Sequence, residues 1–235
     1  MNQPILSSSL TESVYATLRA DILSARLDPG QKLKIKDLCD RLSAGSSAVR
    51  EALSRLGSEG LVLLEPQRGF RVAPLSMDEL HDLTRTRGQI EALCIRDAIA
   101  AGDVEWEIGL MAALHRMLRM PKEVASEPRR YSQAFTDAHT AFHEALVAAC
   151  ASPWLLTMRR LLFTQSERYR SLTRPLGETE RDLDKEHKSI ADAALARDAD
   201  RCVALMEEHL ALTSRILIEA AAQGSGPLSE DRRRQ

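Results

Sequence analysis

Aromatic residues are scarce in this 235-residue chain, only 4% of it, although hydrophobic residues as a class reach 44%. Sheet cores draw on aromatic and β-branched side chains, so this balance points to helices. Cysteine is sparse and scattered: Cys39, Cys94, Cys150 and Cys202 form no CxxC pair. That excludes a cysteine zinc ribbon or a disulfide scaffold and predicts reduced, buried thiols in a cytoplasmic protein. No apolar run is long enough to span a bilayer, and no secretory leader pattern opens the sequence, so no membrane partner is expected. An excess of charge is missing too, since 32 Lys and Arg face 34 Asp and Glu for a net −2. Taken whole, that argues against nucleic acid. Residues 1–75, however, hold ten basic against eight acidic side chains, and the remainder holds 22 against 26. A mildly basic module thus precedes an acidic body, and the length leaves room for two domains.

The first module is read as residues 1–75. Residues 1–9 are polar and expected to fray. Leu10, Val14, Leu18 and Ile22 recur every fourth residue and predict a helix over 11–25, closed by the turn Asp28-Pro29-Gly30. Ile35, Leu38, Cys39 and Leu42 make a second apolar stripe. The small residues SAGSS break it, and Val49, Ala52, Leu53 and Leu56 make a third. Two helices across a tight turn are the outline of a helix-turn-helix, whose second helix enters the major groove. Leu61–Leu64 and Phe70–Ala73 then flank the turn Glu65-Pro66-Gln67-Arg68-Gly69, a hairpin wing with Arg68 near its tip. The reading is a winged helix-turn-helix.

From Ser76 to Gln223 only helical periodicity is found. Helices are predicted at 76–102, 104–119, 128–150, 153–173, 178–197 and 199–223, with Gly, Pro, Ser and Asp at the breaks. Short connections imply an antiparallel six-helix bundle over 76–223, making the fold mainly α. Residues 224–235 read as a disordered tail.

Histidines mark the bundle. His139 and His143 stand at i, i+4 on one helix face; His187 and His209 fall within the apolar stripes of two further helices. All four are predicted to point inward. They are either hydrogen-bonded core residues or the imidazoles of one divalent metal site. Asp137 should face elsewhere. Arg87 places a cation on an inward stripe, either as a salt bridge to Glu91 or as an anion clamp. Gln165 and Tyr169 interrupt the stripe Leu155, Met158, Leu162, as polar contacts to a ligand or as a helix edge. No inward acid is found for a general base, since Glu144 beside His143 should face away, so catalysis is not expected.

The motifs also carry a resemblance. LDPGQKL, AVREALSRLGSEGLV and PQRGFRV, in that order, resemble the DNA-binding half of the GntR family of bacterial regulators. The resemblance implies operator contacts from Lys36, Ser46, Ser47, Arg50, Arg68 and Gly69. Ser46 and Ala48 replace an arginine and a proline usual in the family, and a serine lacks the bidentate fork that reads guanine. HTAFHEAL, EH-x(3)-A and H-x-A at 209 resemble the FCD ligand-binding domain of the FadR subfamily. There the resemblance implies a metal bound by His143, His187 and His209, with His139 where the family usually has aspartate. Zinc is the first expectation and nickel the next. It also implies that Arg87 lines an effector cavity. The expected protein is a homodimeric repressor on a two-fold operator, released by a small carboxylate. A metal-free regulator with an acyl-CoA effector and a metalloenzyme fused to a DNA-binding module are the alternatives.

Overall fold

The structure is a computed structural model that describes residues 4–124, 126–173, 176, 181–223 and 228. The chain divides into two compact units that meet between Ser76 and Met77.

In the first unit, α1 (Pro4–Leu23) precedes β1 (Lys32–Leu33), α2 (Ile35–Leu42), α3 (Ser46–Ser58), β2 (Val62–Glu65) and β3 (Gly69–Val72). Val14, Leu18 and Ile22 bury one face of α1 in a core shared with Val49, Leu53 and Leu56 of α3. Leu10 stays outside, 40% exposed. Helix α1 runs from Pro4 to Leu23, where the sequence predicted a helix over 11–25. Ser43 closes α2 in the left-handed region, and Gly45 stands at the N-cap of α3. Serine therefore does not cap the second helix of the motif; Ser46 is its first turn. The strands form an antiparallel sheet ordered β1-β3-β2, with Val62 opposite Val72 and Leu64 opposite Phe70. Strand β1 was not anticipated, because two residues are too short to show a period.

The second unit holds α4 (Met77–Ala101), α5 (Val104–Arg119), the hairpin β4 (Glu123–Val124) and β5 (Glu127–Tyr131), α6 (Gln133–Leu146), α7 (Pro153–Arg170), α8 (Leu183–Leu195) and α9 (Ala199–Ala222). Polar side chains start these helices. Asp103, Ser132, Ser152, Asp182 and Asp198 each accept a hydrogen bond from the backbone N–H three residues on. Pro153 occupies the first turn of α7, where its missing N–H costs nothing. Gly102 is forced between α4 and α5, since a Cβ there would lie 2.3 Å from the Trp106 ring.

Helix α4 packs on α7 and α9, α5 on α6 and α8, and α8 on α9. The α4–α7 register is antiparallel: Arg87 lies 4.7 Å from the Phe163 ring, Glu91 2.8 Å from Arg159, and Asp97 accepts from the Ala151 N–H at 2.7 Å. Two expected helices are corrected. The segment expected at 128–150 is a strand to Tyr131 and a helix only from Gln133 to Leu146. The segment expected at 178–197 starts at Leu183, and residues 178–180 lie outside the described ones. The reading of 224–235 as a tail also lies outside them, Leu228 apart. Among the described residues no helix is long and apolar enough to cross a membrane.

Candidate metal and effector centre

Helices α6, α8 and α9 bring His139, His143, His187 and His209 together, each buried and each offering a ligand atom within 4.8 Å of the others. The two α6 imidazoles approach Nε2 to Nε2 at 3.2 Å. Two nitrogens on one tetrahedral zinc, each about 2.0–2.1 Å from it, would stand about 3.3 Å apart. His187 Nδ1 donates to the Leu183 carbonyl at 2.6 Å, which leaves Nε2 as its free lone pair. That Nε2, like the Nδ1 atoms of His139 and His143, is buried without a hydrogen-bond partner. The orphaned His187 Nε2 is costly unless something else satisfies it, and an ion held within this group would do so, so the residues present fit a metal ion. Burial pushes all four imidazoles below their ordinary range, with neighbouring cationic side chains and imidazoles adding to the effect. Neutral imidazole is the form a metal requires. Asp137 is exposed and accepts from Gln133 at 2.8 Å, away from this group.

A lattice of buried charge adjoins the histidines. Arg159, 2% exposed, donates to Glu91 at 2.8 Å and to the His143 carbonyl at 2.6 Å. Arg87 reaches Glu91 only at 3.3 Å and lies over the Phe163 ring. Arg170 grips both oxygens of Glu167, and Glu167 Oε1 is 3.9 Å from His139 Nδ1. The absence of inward acids expected from the sequence is thus corrected. Both carboxylates, however, are engaged by arginines and neither is placed as a free base. Arg87, Arg159 and Arg170 thus stand against Glu91 and Glu167 among the described residues.

A cavity of about 20 Å3, room for roughly one water, opens among Arg87, His139, Glu167, Tyr169, Arg170 and His209. Arg87 therefore both pairs with Glu91 and walls the cavity. Tyr169 joins it, its hydroxyl donating to Glu79 at 2.6 Å. Gln165 does not line the cavity; its side-chain oxygen accepts from Arg168 at 2.7 Å. Arg159, Glu167 and Arg170 were missed in the sequence, since charges on a helix ordinarily mark a solvated face, while Glu91 was named there only as a partner of Arg87. Glu186 was missed too. It accepts from His209 Nδ1 at 2.7 Å, and although burial raises its pKa, hydrogen bonds from His209 and Arg181 hold it at about 2.

Of the thiols, Cys94, Cys150 and Cys202 are buried and Cys39 is only half-buried, a correction for that one. Burial pushes Cys94 and Cys202 up to about 12. His81 and His115 are exposed.

In the first unit, Ser46, Ser47 and Arg50 are exposed on the opening turns of α3, and Lys36 is exposed on α2. Arg68 is exposed in the β2–β3 turn, where Gly69 adopts φ +88°, a conformation glycine takes without strain. Arg55 turns instead toward α1, pairing with Glu12 at 2.7 Å and covering the Tyr15 ring at 4.0 Å.

Comparison with known proteins divides the chain in the same way. The family described as "Bacterial regulatory proteins, gntR family" matches residues 10–72, and the FCD domain matches residues 82–212. The HTH-type transcriptional regulator BphR of Paraburkholderia xenovorans is 39% identical over 202 residues, 86% of this chain and 82% of BphR. The HTH-type transcriptional repressor GlaR of Escherichia coli is 38% identical over 215 residues, 90% of this chain and 96% of GlaR. Among solved structures, Escherichia coli McbR/YncC superposes with a TM-score of 0.70 at 20% identity, covering 89% of this chain and 97% of its own. That likeness bears on the fold alone.

Proposed function

The chain belongs to the GntR family of bacterial regulatory proteins, in the arrangement with an FCD domain, and we propose that it is a homodimeric repressor released by a small organic acid taken up beside a metal ion. It is a DNA-binding transcription regulator. The observation that carries the rest of the reading is the buried set of four converging imidazoles. His139, His143, His187 and His209 would hold a divalent transition metal, zinc first by the chemistry of an all-nitrogen donor set and nickel next. When bound, the ion would supply a Lewis-acid anchor for a carboxylate only as a further ligand beyond the four imidazoles. Arg87 orients that carboxylate from α4 by charge-assisted hydrogen bonds, and Tyr169 closes the wall. The acyl-CoA alternative gains no support from a cavity this small and this charged.

Release follows from size. An acid larger than one water enters only if α4, α7 and α9 part, and α4 begins at Met77, directly after the DNA-binding unit. A preference of about 1–3 kcal/mol for the spread arrangement would change operator affinity about 5–150-fold. On the DNA side, Ser46, Ser47 and Arg50 would meet base edges and phosphates from α3, with Lys36, Arg68 and Gly69 on flanking phosphates. The second copy would dock on the α4–α7 pair. Leu93, Trp154, Met158 and Leu161 are 48–74% exposed there, and the register sets Leu93 level with Trp154 and Met158. One apolar patch used twice about a two-fold axis is an isologous contact, which a two-fold operator demands. A repressor role accords with the relative GlaR, itself named a repressor.

The test is elemental analysis of untagged protein purified without added metal, followed by operator retention against a panel of short carboxylic acids. About one transition-metal ion per chain and release by at least one acid are expected. No metal uptake even after reconstitution would overturn the metal-centred reading and leave the family assignment intact.

A further inference from the structure

Resting on that metal-centred reading, we infer that Glu186 is the positioning residue that aims His209 at the ion. The four imidazoles are not held alike. His139 Nδ1 and His143 Nδ1 have no hydrogen-bond partner, whereas His187 is fixed through the Leu183 carbonyl and His209 through Glu186. Both anchors come from α8, one residue and four residues before His187, so a single helix turn orients ligands on two helices.

The tautomer follows from the contacts around His209 Nδ1. Glu186 Oε2 lies 2.7 Å away and Arg181 Nη2 3.1 Å away. The arginine only donates and the carboxylate only accepts, so one of the two contacts is not a hydrogen bond. A bare nitrogen lone pair facing a carboxylate at 2.7 Å would be repulsive. The nitrogen therefore carries the proton, donates to Glu186, and leaves Nε2 for the ion. Arg181 serves the carboxylate instead, through two bonds of 2.7 Å to Glu186, and donates to the His209 carbonyl at 2.9 Å and Thr213 Oγ1 at 3.0 Å. Carboxylate–histidine pairing of this kind orients the ring and raises its basicity as a ligand. Arg181 reduces that donation, so the two residues act on His209 with opposite sign.

This opposition separates a positioning role from a merely structural salt bridge. The full-length protein, its Glu186→Gln variant and its Arg181→Gln variant would be titrated with Zn2+ against a chromophoric chelator. Glu186→Gln is expected to weaken zinc binding about 10–100-fold, the usual effect of losing such a partner. Arg181→Gln, which breaks the same salt bridge but keeps the carboxylate on His209, is expected to bind within a few fold of the parent or more tightly. Where Glu186→Gln does not fold by circular dichroism, Glu186→Asp keeps the charge while withdrawing it by one methylene, and an intermediate loss is expected. Parental affinity in the Glu186 variants overturns the inference, as does an equal loss in Glu186→Gln and Arg181→Gln. A parent that takes up no zinc overturns the metal-centred reading itself, and this inference with it.

Discussion

Acidification is the perturbation most directly set by the buried histidines. His139, His143 and His187 lie well below their ordinary pKa of about 6.5 when folded, because burial disfavours the imidazolium. Unfolded, they titrate near 6.5. Below that value the unfolded chain binds protons that the folded chain refuses, so stability is present above about pH 6.5 and drains as pH falls toward the folded values. Between pH 6.5 and 5.5 each such histidine removes about 1 kcal/mol, so the three together remove about 3 kcal/mol. Glu186, held at about 2 when folded, is ionised in both states across this window and adds little. The assay is urea unfolding of chelator-treated protein at the two pH values, followed by helical circular dichroism. With a slope of about 1–3 kcal/mol per molar, the midpoint of the helical unit should fall by about 1–3 M at pH 5.5. Zinc at about 100 times its dissociation constant should add about 2.7 kcal/mol at pH 6.5. A midpoint that stays flat or rises on acidification would refute the claim that these imidazoles are buried and neutral.

Further outcomes follow from single contacts. Glu91→Ala strips the carboxylate shared by Arg87 and Arg159 and should cost the helical unit about 3–5 kcal/mol in urea unfolding, the usual effect of breaking a buried ion pair. Leu161→Glu puts a charge into the apolar face of α4 and α7 and should yield monomers by light scattering, with weakened operator retention; an intact dimer would relocate the interface. Arg50→Ala should weaken operator binding about 5–150-fold, one bidentate contact's worth, without altering the helical spectrum; unchanged binding would remove Arg50 from the contact set.

What the sequence disclosed and what it hid have different physical origins. The inward histidines were legible because i, i+4 spacing and apolar stripes fix a helix face locally. The winged motif was legible because turn residues punctuate it. The hairpin Glu123–Tyr131 was hidden, since its strands are polar and too short to show alternation. Helix α6 gave one missed cue, Ser132, whose hydroxyl accepts from the Phe135 N–H. The charge lattice was out of reach for another reason. Nothing in the spacing of Arg159 and Glu167 on α7 marks them as buried, and only folding brings Arg159 to Glu91, 68 residues away. Helix periodicity assigns faces but not partners across helices.

Charge balance narrows the effector further than cavity size does. Arg87, Glu167 and Arg170 line the cavity beside His139 and His209. A divalent ion on four neutral imidazoles would keep its full charge, because His139 would supply no anion where a carboxylate ligand does. That charge would then face a buried space of small volume, where uncompensated charge is costly. A ligand that relieved this would be small and multiply anionic. Short di- and tricarboxylates should raise the melting temperature of the zinc-loaded protein more than monocarboxylates of equal length. In the zinc-free protein that ordering should shrink, because the ion's charge is gone. Replacing His139 with Asp returns one negative charge to the ion and should shift the preference toward acids with one carboxylate fewer. Equal responses to mono- and dicarboxylates in zinc-loaded protein would mean that shape, not charge, selects the effector.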